Sequence, residues 1–167
     1  MTNSIWETPQ AFFDMLDKEF KFTLDVCALP INAKCKQYFT PEIDGLKQDW
    51  TKHIFWCNPP YGRGQDVYSW VKKAFDSANG GGTGVCLLPV SADTKWFHEY
   101  VMRAAEIRFV RDRLWFSLNG KAQRANHASM VVVFTSSPHK PQISAISNSR
   151  NILKEERKKL SNKIVLI

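Results

Sequence analysis

Residues His53-Ile54-Phe55-Trp56-Cys57 form an apolar run that stops against two consecutive prolines, in Asn58-Pro59-Pro60-Tyr61-Gly62-Arg63-Gly64. Proline has no N–H to give a sheet ladder, so a central strand must end there. A short apolar run of this kind reads as a buried strand, and a buried strand needs covering layers on the sheet. The rest of the chain must supply those layers.

Its pattern does so. Phe12, Phe13, Leu16 and Phe20 recur at helical spacing, which predicts a helix over 10–20 with Thr8 as N-cap and Pro9 as the first helical residue. Residues 22–27 read as a short strand ending near Asp25, 28–36 as a loop, and 37–40 as a second short strand. Val67, Trp70, Val71, Ala74 and Phe75 lie on one face of a helix over 66–78, closed by Asn79-Gly80-Gly81-Gly82. Strands follow at 85–89, 106–110 and 129–134, with a helix capped by Ser91-Ala92-Asp93 running to Ala105. Residues 120–128 read as a polar loop. Strands alternating with helices predict a doubly wound, Rossmann-like α/β sheet, whose ligands sit beyond the carboxyl ends of the strands.

A chain of 167 residues with 44% hydrophobic content can bury one core. The expected organisation is one domain over 1–135, with 136–149 a Ser- and Asn-rich linker and 150–163 a charged helix within a basic tail that ends at 167. No stretch approaches the roughly 20 apolar residues of a membrane span, and the first residues lack a signal-peptide pattern, so a cytoplasmic protein without membrane partners is expected. Cys27, Cys35, Cys57 and Cys86 show no metal-ligand spacing, so neither a metal nor a disulfide is expected. Lys and Arg number 23 against 16 Asp and Glu, a formal charge of +7 that suits a phosphate backbone without proving one.

The strand-ending turn carries the chemistry. An exocyclic aromatic amine is a poor nucleophile because its lone pair is delocalised into the ring. A site must therefore accept hydrogen bonds from both amine hydrogens to favour the tetrahedral nitrogen. The side-chain oxygen of Asn58 and the carbonyl of Pro59 offer two acceptors, Pro60 stiffens the turn, and Tyr61 offers a ring to stack on a base. Catalysis there is alignment and charge placement rather than proton abstraction. The competing reading is a strand-terminating turn and nothing more. Lys121, Arg124, Asn126 and His127 form a basic stretch suited to phosphate contact, or else an ordinary solvated loop.

These features resemble the short phage and prophage DNA adenine methyltransferases related to Dam. The matching residues run from Trp6 with Thr8-Pro9, through Phe20 to Asp25, Asn32 to Cys35, Tyr38 to Thr40, Asp44 to Leu46, Asp49-Trp50 and Trp56 to Gly62. Leu88-Pro89, Asp93-Thr94, Trp96 to His98 and Arg113 to Phe116 continue them. The resemblance implies transfer of a methyl group from S-adenosylmethionine to the N6 amine of adenine in double-stranded DNA, with either defined or relaxed site preference. It implies Asn58, Pro59, Pro60 and Tyr61 as catalytic, and Thr8, Pro9, Asp25, Cys27, Ala28, Asp49 and Asn58 near the cofactor. Arg63, Lys121, Arg124 and Asn126 are the candidates for DNA contact.

One departure stands out, because no glycine follows Asp25 until Gly45, where this fold usually has a glycine-rich cofactor loop. Two alternatives stay open from the residues: methylation of another planar amine, in RNA or a protein glutamine, and a catalytically silent DNA-binding module.

Overall fold

The computed structural model describes residues 6–61, 66–118, 121–136 and 140–148. Nine strands are present among these: β1 (Trp6–Glu7), β2 (Leu24–Asp25), β3 (Ile54–Cys57), β4 (Thr83–Pro89), β5 (Glu106–Arg111), β6 (Trp115–Leu118), β7 (Lys121–Arg124), β8 (Ser129–Phe134) and β9 (Gln142–Ser147). Three helices accompany them: α1 (Gln10–Phe20), α2 (Val67–Asn79) and α3 (Lys95–Glu99). Six strands make a mixed central sheet in the order β2-β3-β4-β8-β5-β9. Only β8 runs against the others. The remaining three form a small antiparallel sheet, β1-β6-β7.

Alternation along the central strands sorts side chains to two covering layers. Trp56, Val85, Leu87, Val131 and Val133 pack with Phe12, Phe13 and Leu16 of α1. Their neighbours Phe55, Cys57, Cys86, Leu88, Met130, Val132 and Phe134 pack with Val71, Ala74, Phe75 and Ala78 of α2 and with Trp96 and Phe97 of α3. Each large apolar side chain so buried stabilises the fold by about 1.5–3 kcal/mol, which is why these strands read as unbroken apolar runs. Gly84 sits opposite Phe55 in the β3–β4 ladder, and a Cβ there would lie 2.5 Å from the Phe55 ring.

Several elements differ from the sequence expectation. Pro9, with φ −53° and ψ 130°, takes the N-cap position of α1, and the Thr8 side chain is turned elsewhere. The segment 22–27 is a strand only at Leu24–Asp25, and 37–40 contributes a single bridge, Asp25 to Tyr38. The expected helix over 91–105 stops at Glu99 and gives way to a 3-10 turn at Val101–Arg103. Trp96, Phe97, Tyr100, Val101 and Ala104 are all buried, and turning the chain seats them in the core before β5 begins.

Two strands lie where loop and linker are expected. All four residues of β7 are exposed, so it has no apolar period; its ladder with β6 holds it instead. The presumed linker carries β9, paired with β5 over six residues, so the sheet extends past residue 135 to Ser147. Its first four residues are exposed and polar or small apart from Ile143, which hides an edge strand from a hydrophobicity reading. The expected tail helix over 150–163 lies outside the described residues.

Candidate active site

β3 delivers Asn58 to the carboxyl end of the sheet, one residue beyond Cys57. The Asn58 carboxamide is held at both ends. Its Nδ2 donates to Thr8 Oγ1 at 3.1 Å, and its Oδ1 accepts from the Tyr61 hydroxyl at 2.6 Å. That hydroxyl also lies against the Leu87 carbonyl of β4. Burial pushes the Tyr61 phenol well above its ordinary pKa, so it stays protonated and remains a donor. Thr8 is 4% exposed. Its side chain therefore orients the Asn58 amide instead of capping α1. Pro59 is buried and Pro60 exposed, and no described residue donates to the Pro59 carbonyl.

At the neighbouring strand end, Asp25 is 3% exposed. Its Oδ1 accepts from the Cys27 N–H at 3.2 Å and its Oδ2 from the Lys34 N–H at 3.0 Å. Burial raises its pKa to about 6 against the lowering effect of those two bonds. Asp25 thus ties the loop 26–34 to β2, while standing beside Trp56 through the Val26 N–H bond to the Trp56 carbonyl. Cys27 is half-buried, and burial pushes its thiol up to about 12. Ala28 is buried, its N–H donated to the Phe39 carbonyl at 3.0 Å.

Asp49 is not brought to this group. It is exposed ahead of the amino end of β3, where its Oδ1 accepts from the Thr51 N–H and hydroxyl. Arg63 lies outside the described residues. Lys121 and Arg124 are exposed on β7, and Asn126 is exposed just beyond it.

Tyr61 also walls a cleft of about 210 Å³, opposite residues that follow β7. Leu88, Pro89 and Phe116 line it, and Asn126 and His127 stand on it. The cleft opens at the carboxyl ends of the parallel strands, next to Asn58.

The chain matches the DNA N-6-adenine-methyltransferase (Dam) family over residues 1–160. It belongs to that family. A DNA N-6-adenine-methyltransferase of Haemophilus phage HP1 is 35% identical to it over 137 residues, 78% of each chain.

Gly45, the first glycine after Asp25, serves packing within the chain. Gly45 packs so tightly that a Cβ would lie 2.3 Å from the Val26 carbonyl, so a glycine does permit close backbone approach at the end of β2, from a distant part of the chain. Two features escaped sequence reasoning. The bond from Asn58 to Thr8 spans fifty residues, and no local pattern announces it. Arg113, in the link from β5 to β6, has a buried Nη1 with no acceptor among the described residues.

Proposed function

We propose that this chain transfers a methyl group from S-adenosylmethionine to the N6 amine of adenine in double-stranded DNA, with Asn58, Pro59 and Tyr61 as the groups that handle the amine. The observation that carries the reading is the Asn58 carboxamide fixed between Thr8 and Tyr61 at the carboxyl end of β3. A carbonyl oxygen has two lone pairs, so Asn58 Oδ1 can hold the Tyr61 hydroxyl and still accept one amine hydrogen. The Pro59 carbonyl accepts the other. With both hydrogens held, the nitrogen lone pair leaves conjugation and becomes nucleophilic. The bonds are preformed, so little reorganisation is needed when charge develops.

S-adenosylmethionine, when bound, supplies an electrophilic methyl group on a positive sulfur. The side chains at the end of β2 fit such a cation: Asp25 is a buried carboxyl with no cationic side chain bonded to it, and a nearby positive charge would lower its raised pKa and keep it ionised. Cys27 is bonded to Asp25 through its N–H, and Thr8, next to Pro9, is bonded to Asn58, so these are further candidates for cofactor contact, whereas Ala28 has already donated its amide to Phe39. After transfer the methylated nitrogen is acidic, and Asn58 Oδ1 holds its departing proton until water takes it. No residue with a special pKa is needed.

The net charge of +7 and the exposed Lys121 and Arg124 suit phosphate contacts, with Arg63 as a further candidate. The fold supports a compact Rossmann-like sheet, with α1 on one face and α2 and α3 on the other. No helix among the described residues is long and apolar enough to cross a membrane, and a DNA substrate places the work in the cytoplasm of a bacterial or phage-infected cell.

The decisive measurement is transfer of labelled methyl from the cofactor to adenine in plasmid DNA. Asn58→Ala should lower kcat by about 100-fold or more, the scale of losing one preorganised polar group, with melting little changed. Near wild-type turnover in that variant would show the turn to be structural.

A further inference from the structure

The cleft beside Tyr61 has a second wall that the handling of the amine does not use. Tyr61, Leu88, Pro89 and Phe116 give it flat and apolar surfaces, and Asn126 stands at its rim. Phe116 is 5% exposed and anchored in the core on the α1 side, so this wall is fixed. At about 210 Å³ the cleft is smaller than the roughly 300–1,000 Å³ of pockets for drug-sized molecules, and suits one planar base. Asn126 is exposed, and its amide can both donate and accept.

The amine alone does not define the substrate. Cytosine also carries an exocyclic amine, so Asn58 and Pro59 would hold either base. Adenine differs in having an acceptor nitrogen on both sides of the amine, N1 and N7, whereas cytosine has one such nitrogen and a C–H on the other side. A hydrogen-bond donor at the cleft rim can make that distinction. A site built to bond a substrate group also rejects analogues lacking it more strongly than shape alone does.

We propose that Asn126 is a specificity-determining residue that donates its Nδ2–H to N7 of the flipped adenine, the acceptor that cytosine lacks, in the cleft lined by Tyr61 and Phe116. This assignment rests on the adenine-methyltransferase reading of the Asn58 turn, and it moves Asn126 from the phosphate contacts expected from sequence to the base itself.

The test is steady-state methylation by the full chain on duplexes whose target adenine is replaced by 1-deaza-adenine or 7-deaza-adenine. Wild type is compared with Asn126→Ala and Asn126→Asp, with melting followed for each. Wild type should lose about tenfold or more in kcat/KM on the 7-deaza analogue, and a loss confined to 1-deaza-adenine would overturn the assignment. Asn126→Ala should show a loss of similar size on ordinary adenine and no further loss on that analogue. Asn126→Asp, which turns an acceptor toward an acceptor, should be worse than Ala. Melting should not change, because the side chain is exposed. Wild-type kcat/KM in Asn126→Ala, or the same analogue penalty in both proteins, overturns the assignment. A wild-type chain that methylates no adenine at all overturns the underlying reading of Asn58 instead, so the two failures are distinguishable.

Discussion

In the proposed mechanism the Asn58 amide must face the right way, and the two groups that set its orientation can be removed one at a time. Tyr61→Phe keeps the ring on the cleft and deletes the bond to Asn58 Oδ1. It should lower kcat by roughly tenfold, the cost of one hydrogen bond, whereas Tyr61→Ala, which also removes the wall, should abolish turnover. Thr8→Val is nearly isosteric and removes the acceptor for Asn58 Nδ2. It should cut kcat, and Thr8→Ser should restore it. A Thr8→Val enzyme with wild-type kcat would show that the turn orients the amide unaided. Asp25 gives a pH signature. Its folded pKa, about 6, lies above the ordinary carboxyl value, so the native state holds a proton that the unfolded chain releases. Stability should therefore fall as pH rises from about 4 to about 6 and then level off, by at most about 3 kcal/mol. Melting curves of wild type and Asp25→Asn across that window check it, since the variant should lack this part of the slope. Parallel curves would place the titration elsewhere. If Asp25 faces the cofactor's positive charge, affinity for S-adenosylmethionine should weaken as pH drops through 6.

The secondary elements divide by how they are stabilised. α1, α2, β3, β4 and β8 are held by burial, and burial leaves a periodic or unbroken apolar trace that the amino acids display directly. β7 and β9 are held by backbone ladders at exposed edges, where Lys121, Gln123, Gln142 and Ser144 give no such trace. The same distinction applies within the site. Asn58 to Tyr61 are contiguous and end a strand, so they could be found; Thr8, Leu87 and the cleft depend on pairings between segments far apart in sequence. Asp49 has a type and position that suit a ligand contact, while in the structure its side chain is occupied by the local turn at Thr51. The exposed strand β7 of the ribbon yields its own prediction. Replacing Lys121 and Arg124 together by Ala should reduce the slope of log affinity for DNA against log salt by about 2, one for each lost phosphate contact, and leave melting unchanged. An unaltered slope would take the ribbon off the DNA.

For the molecule as a whole, the polar groups beside the cleft that could read base pairs are few among the described residues, chiefly Asn126 and His127. DNA affinity should then come mainly from charge, fall steeply with salt, and support methylation at short or relaxed sites. Mapping modified adenines in a mixed-sequence plasmid checks this. Confinement to one site of about five or more defined base pairs, with binding indifferent to salt, would mean that a dedicated recognition element had been overlooked. The position of β6 and β7 bears on how such preference could change. β5 and β8 are antiparallel neighbours, so the chain between them departs and returns at one rim of the sheet. Leu114 and Phe116 pin that excursion to the core, and β7, exposed throughout, carries no part of the central ladder. Exchanges along β7 would leave both flanking strands paired. On the proposed reading, the scaffold diversifies the DNA it accepts by trading a cassette, while the turn after β3 is inherited intact.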